Sequence, residues 1–109
     1  MIRNKVMSYL GFAAKSRNLV TGAGTCQMMM EKGRIKLLIV TEDIAENTEK
    51  KMLQICNRNN INYRIFGNSD ELSLITGKSG KAVFGITDAH FAEIIGKEID
   101  LIQSEREVF

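Results

Sequence analysis

A chain of 109 residues holds one compact domain and is too short for two. Its 44% hydrophobic and 26% charged residues are those of a soluble globular domain, and no apolar run approaches the length needed to cross a bilayer, so no membrane partner is expected. The net charge of +2 is unevenly spread: residues 1–41 carry seven cations (Arg3, Lys5, Lys15, Arg17, Lys32, Arg34, Lys36) against Glu31 alone, whereas residues 98–109 carry four acids against Arg106. That asymmetry points to a polyanion partner or, in the plainer reading, to a solvated basic face.

Residues 4–16 read as a helix whose Val6, Leu10, Ala13 and Ala14 repeat at helical spacing. A turn at 18–20 leaves room for a very short strand. Thr21-Gly22-Ala23-Gly24 then opens a second helix, with Thr21 as its expected N-cap and Gly33 just past its end. Lys36-Leu37-Leu38-Ile39-Val40 is an apolar run typical of a strand buried on both faces. Glu42-Asp43-Ile44-Ala45 leads into a helix over 47–59, with Met52, Leu53, Ile55 and Cys56 inward and Asn59-Asn60 at its end.

Residues 61–66 alternate apolar and polar and predict a half-exposed strand. A short helix follows over 70–75, with Ser69 as its expected cap and Glu71 three residues after Asn68. Residues 76–81 form a basic, glycine-bearing loop, and 82–86 a buried strand. Thr87 or Asp88 caps a last helix carrying Phe91, Ile94, Ile95, Ile99 and Ile102 on one face. Helix and strand alternate with no linker and no repeat. The expected fold is α/β, a three-layer αβα sandwich with a mostly parallel or mixed sheet, in one domain spanning 1–109. Its core lies at about 5–102, and a tail at 103–109 is expected to fray.

Enzyme motifs do not complete themselves. Gly22-Ala23-Gly24 lacks the third glycine and a convincing preceding strand for a dinucleotide loop, and Gly77-Lys78-Ser79 lacks the upstream glycine and following helix of a phosphate-binding loop. Glu42-Asp43 stands where α/β enzymes place carboxylates, but capping of the next helix and balance for nearby basic groups is the favoured reading, since no His or Cys pattern completes a site and His90 is the only histidine. One histidine and two distant cysteines make no metal set, and no cofactor is expected. Cys26 and Cys56 read as buried free thiols, and the absence of a secretory signal fits a cytoplasmic setting. Of Met28-Met29-Met30, successive helical positions require at least one to face outward.

The remaining constellation is electrostatic. Unpaired N–H groups at a glycine-flanked helix start make an anion site. If the segment 22–36 and the loop 77–81 gather at one end of the sheet, Lys32, Lys36, Lys78 and Lys81 form a concave basic edge. Such an edge suits phosphate backbones. RNA fits better than duplex DNA, because no helix reads as a major-groove reader and looped bases are reachable by loops and helix ends.

The ordered series T-G-A-G-T, E-K-G-R-I-K-L-L-I-V-T-E-D, N-N-I-N-Y, D-E-L and T-G resembles the ribosomal protein L7Ae/L30e family of kink-turn RNA binders. The opening L-G-F-A-A-K-S-R-N-L-V-T-G resembles its small bacterial branch, of the YlxQ type. The resemblance implies an αβα sandwich with a mixed four-stranded sheet. It also implies a non-enzymatic protein bound to structured RNA, whether ribosomal RNA, a kink-turn or the ribosome. The family's contact helix begins G-x-N-E-x-x-K. Gly22 matches the glycine, while Gly24, Thr25 and Met28 stand at the Asn, Glu and Lys positions, and Lys32 supplies the basic residue one turn on. The second contact loop falls on Lys78, Ser79 and Gly80 beside Lys81, and the third on Glu42, Asp43 and Ile44. The substitutions imply weakened kink-turn specificity. The alternative is a protein-interaction module that keeps the fold, with Met28 in an exposed apolar patch.

Overall fold

Two four-residue apolar strands, buried on both faces, form the middle of the sheet. The computed structural model describes residues 2–107 and the side chains of 5–104. In chain order the elements are α1 (Ile2–Lys15), β1 (Leu19–Thr21), α2 (Ala23–Glu31), β2 (Leu37–Val40), α3 (Glu46–Arg58), β3 (Tyr63–Ile65), α4 (Ser69–Thr76), β4 (Val83–Ile86) and α5 (Ala89–Glu107). The sheet order is β1-β4-β2-β3. β2 pairs parallel with β3, and β4 pairs antiparallel with both β2 and β1, so the sheet is mixed. The three-residue edge strands are only half-buried, which limits the unpaired backbone they expose.

Strand alternation divides the core in two. Leu37, Ile39, Phe84 and Ile86 face α1, α4 and α5 through Val6, Leu10, Leu72, Ile95, Ile99 and Ile102. Leu38, Val40 and Val83 face α2 and α3 through Cys26, Met30, Met52, Ile55 and Cys56. This is the αβα sandwich. Gly85 brings α2 close: a Cβ there would stand 2.7 Å from Ile35 Cδ1 and 3.3 Å from Cys26 Sγ.

Several local expectations are corrected. Thr21 is the last residue of β1, paired with Phe84, so it cannot cap α2; the N-cap is Gly22. The cap of α4 is Asn68, not Ser69. Asn68 accepts from the Glu71 N–H at 2.9 Å while Glu71 Oε1 accepts from the Asn68 N–H at 3.2 Å. Asp88 Oδ2 accepts from the Phe91 N–H, so of the two candidates Asp88 holds the start of α5. The expected frayed tail is helix through Glu107, and Gln103 donates to the Ile65 carbonyl on the edge strand; Val108 and Phe109 lie outside the described residues. The Arg64 guanidinium grips Asp100 with two bonds of 2.7 and 3.1 Å, which ties β3 to α5.

Both thiols are buried and free. Desolvation pushes Cys26 up to about 12, with the neighbouring Cys56 adding to it, and pushes Cys56 up to about 11. No helix among the described residues is long and apolar enough to cross a membrane.

Candidate nucleic-acid interface

Strand pairing decides which loops meet. Gly22 N–H donates to the Val83 carbonyl, Thr41 N–H to Ala82, and Glu42 N–H to Gly67. The start of α2, the loop after β2, the turn before α4 and the loop before β4 therefore share one end of the sheet, here the loop end. Gly22 sits at φ 95°, ψ 145°, a conformation close to one that only glycine adopts freely. It aims the first turn of α2 outward with no side-chain cap. The first helical bond runs from the Cys26 N–H to the Gly22 carbonyl, so the N–H groups of Ala23, Gly24 and Thr25 have no intrahelical acceptor.

The Lys81 side chain lies over this turn, with Nζ 3.7 Å from where a Cβ on Gly22 would stand. An ammonium beside the positive end of a helix is electrostatically unfavourable until an anion joins them. Lys78, Ser79 and Gly80 are exposed alongside. Their loop is anchored by the Lys78 N–H on the Ser73 carbonyl and by Ser73 Oγ, which bridges the Lys81 N–H and carbonyl at 3.4 and 3.5 Å.

The acidic segment behaves differently from either expectation. Asp43 does not cap α3, whose N-cap is Ala45 without a side-chain bond. It accepts from the Ser69 N–H at 3.0 Å and from Ser69 Oγ at 2.8 Å, fastening the loop after β2 to the start of α4. The Thr41 hydroxyl and then these Ser69 bonds hold its carboxyl below the usual carboxylate range. Thr41 Oγ1 is buried close to this carboxyl and has no other hydrogen-bond partner among the described residues. Ile44 packs partly into the α2–α3 core, and Glu42 is exposed. Of the three methionines only Met28 is open, at 48%, on the outer face of α2 with Gly24 and Thr25.

Lys32 and Lys36 are not part of this edge. Lys32 is the C-cap of α2, roughly 13 Å along the axis from its first turn. Lys36 N–H donates to the Ile86 carbonyl, which places it before β2 at the opposite end of the sheet. That distal end has Gly33 just past the end of α2, as expected, and an ending of α1 that the sequence did not flag. Both α1 and α2 finish in a doubly bonded turn: Arg17 N–H to Ala14 and Asn18 N–H to Ala13 in one, Gly33 N–H to Met30 and Arg34 N–H to Met29 in the other. In α1 the left-handed position usually given to glycine is held by Arg17, at φ 63°.

The geometry agrees with what known proteins show. Residues 4–96 match the ribosomal protein L7Ae/L30e/S12e/Gadd45 family. The RNA-binding protein YlxQ of Bacillus subtilis (strain 168) is 32% identical over 83 residues, covering 76% of this chain and 83% of that protein. Its Enterococcus faecium namesake is 30% identical over 92 residues, covering 84% and 87%. A Bacillus halodurans protein of unknown function has a solved structure that superposes with a TM-score of 0.85 at 33% identity, over 88% of this chain and 97% of that one. The Giardia lamblia 15.5kD RNA binding protein, at 15% identity and a TM-score of 0.75 over 94% and 88%, shares the fold. The family is a non-enzymatic one, which removes the reading of Glu42-Asp43 as a catalytic pair. The chain belongs to the ribosomal protein L7Ae/L30e/S12e/Gadd45 family.

Proposed function

We propose that this chain is a single RNA-binding domain that docks structured RNA, ribosomal RNA foremost, on the loop end of its sheet. The observation that carries the reading is the uncapped first turn of α2 with the Lys81 ammonium across Gly22. Free N–H groups and a cation converge there on one point, as a backbone phosphate requires. Lys78, Ser79 and Gly80 extend the surface on one side and Glu42 on the other, while Asp43 and Ile44 hold the loop in place. The naming of two relatives as RNA-binding proteins supports the same conclusion. Buried free thiols fit a reducing compartment, the cytoplasm.

Kink-turn specificity is weak in this reading. Gly24 and Thr25 present no amide or carboxylate to a base edge, and Met28 no charge. What remains is backbone N–H groups and lysines, which read shape and phosphate more than sequence.

The test is binding of the purified protein to a kink-turn RNA and to a scrambled duplex of equal length, through a salt series. We expect both to bind, the kink-turn with a modest preference, and log K to fall steeply with log salt, by about 0.7–0.9 per phosphate contacted. A strong kink-turn preference would overturn the weakened specificity. No binding at low salt would overturn the RNA reading and favour a protein-interaction module. Met28 on α2, and Leu74, 86% exposed on α4, would then be its first contacts to examine.

A further inference from the structure

The distal end holds a second cationic site, outside the residues through which RNA docking is proposed. A cleft of about 390 Å³ lies between the ends of α1 and α2 and the start of β2. Arg17, Arg34 and Lys36 line it, its apolar walls come from Val20 and Met29, and no acidic side chain lines it. None of the three cations has an ion pair among the described residues, whose salt bridges join Lys50 to Glu46, Arg64 to Asp100 and Lys97 to Glu93. The negative end of a helix favours a cation near it, which accounts for one charge at each of α1 and α2. It does not account for Lys36, which belongs to neither helix, nor for the convergence of all three.

The backbone fixes where these groups stand. Arg17 and Arg34 issue from the two doubly bonded helix ends, and Lys36 is held by its bond to Ile86 on β4. Arg17 keeps a left-handed conformation that is uncommon for a side chain of its kind and that glycine would adopt freely. Three like charges on a rigid rim repel one another until an anion sits among them. Arginine forks match phosphate oxygens in pairs, and an apolar wall takes the face of a sugar or base.

We infer that the cleft between α1, α2 and β2 is a second phosphate-backbone site for RNA, so that one chain grips RNA at both ends of its sheet. The inference rests on the RNA-binding reading above. The molecule measures 35 × 30 × 25 Å, so an RNA that touches both ends must reach across the body. A compact RNA held at the loop end would leave the distal cleft empty.

Two RNAs and two variants test this. One RNA is a kink-turn with short stems, and the other has one stem lengthened by a helical turn. The distal variant is Arg17→Gly/Arg34→Ala/Lys36→Ala, which places glycine where the backbone favours it and leaves the N–H bonds of residues 17, 34 and 36 intact. The loop-end variant is Lys78→Ala/Lys81→Ala. Affinities are measured across a potassium chloride series, with thermal melting as the control for folding.

The expected result is that wild type prefers the long RNA and binds it with the steeper salt slope. The distal variant melts like wild type and loses that preference, binding the long RNA about tenfold more weakly with a slope smaller by about 2. The loop-end variant weakens both RNAs. If the distal variant keeps wild-type affinity and slope on the long RNA, the second site is overturned and the loop-end reading stands. If wild type binds neither RNA at low salt, both are overturned.

Discussion

At the loop end, α2 begins without a side-chain cap and offers backbone N–H groups beside Lys81. At the distal end, α1 and α2 finish with their backbone groups bonded and offer side-chain charge instead: Arg17, Arg34 and Lys36. The first surface is set by strand pairing and by one glycine conformation, and its reach is short. The second is set by long cationic side chains, and its reach is long. A protein built this way should distinguish RNA shapes at one end and add affinity of little sequence preference at the other. Loop-end contacts should depend on geometry, and distal contacts mainly on salt.

The largest expected effect comes from turning the loop end into a base reader. A Cβ at Gly24 meets nothing within 4 Å, and Thr25 and Met28 are exposed, so Gly24→Asn/Thr25→Glu/Met28→Lys fits the fold without repacking. Each bidentate base contact regained is worth about 1–3 kcal/mol. Preference for a kink-turn over a scrambled duplex should therefore rise about a hundredfold in competition binding, with the distal salt response unchanged. No gain would show that the start of α2 does not meet base edges, and the comparison between the two ends would lose its first half.

Backbone conformation separates the ends, with a cost expected at one and little change at the other. Gly22→Ala forces an alanine into a region that costs about 1–3 kcal/mol. Each kcal/mol lowers the melting temperature of a domain near this size by about 4–8 °C. RNA affinity should fall with it, because the first turn of α2 must re-aim. Arg17→Gly, by contrast, places glycine at a left-handed helix end, and its stability should stay within about 1 kcal/mol of the parent. Paired thermal melts check both. A loss for Arg17→Gly as large as that for Gly22→Ala would mean the Arg17 side chain contributes to the fold, and its place as a free cation would fall.

The alternation of helices with apolar strands was legible in the residues, and so was the burial of residues 37–40 and 83–86; which alternate positions face which helices came only with the structure. The misplacement of Lys36 has a physical cause. β1 and β2 both run antiparallel to β4 and so parallel to each other, which means that α2, between them, carries the chain from one end of the sheet to the other. Gly22, before α2, and Lys36, after it, therefore cannot share an end, however near they are in sequence. Thr21 looked like a cap because its type is right, but pairing with Phe84 requires it as strand. Gly85 gave no local signal, since Ile35 and Cys26, which crowd it, lie fifty or more residues away. Arg17 as a left-handed helix end was equally hidden, because that position signals itself only when it is glycine or asparagine.

The smallest effect concerns the loop that frames the first site. Asp43 joins the segment after β2 to the start of α4 through Ser69, and the neighbouring Thr41 hydroxyl and these bonds favour its charged form. Its carboxyl therefore titrates lower in the folded protein than in the unfolded chain. The sign follows: the stabilisation is present above the unfolded carboxylate value and is lost as pH falls through the lowered folded value. Asp43→Asn mimics the protonated group at every pH. Urea midpoints of the two proteins should differ near neutral pH and converge in acid, once pH has fallen below the lowered folded value. The carboxylate is exposed, so the gap will be small and will shrink in high salt. RNA binding supplies the sharper readout, because a loosened loop at 42–44 should weaken loop-end binding and leave the distal salt response intact. If the midpoints stay parallel from neutral to acid pH, the Ser69 bonds do not favour the carboxylate, and the loop end is held in shape by strand pairing alone.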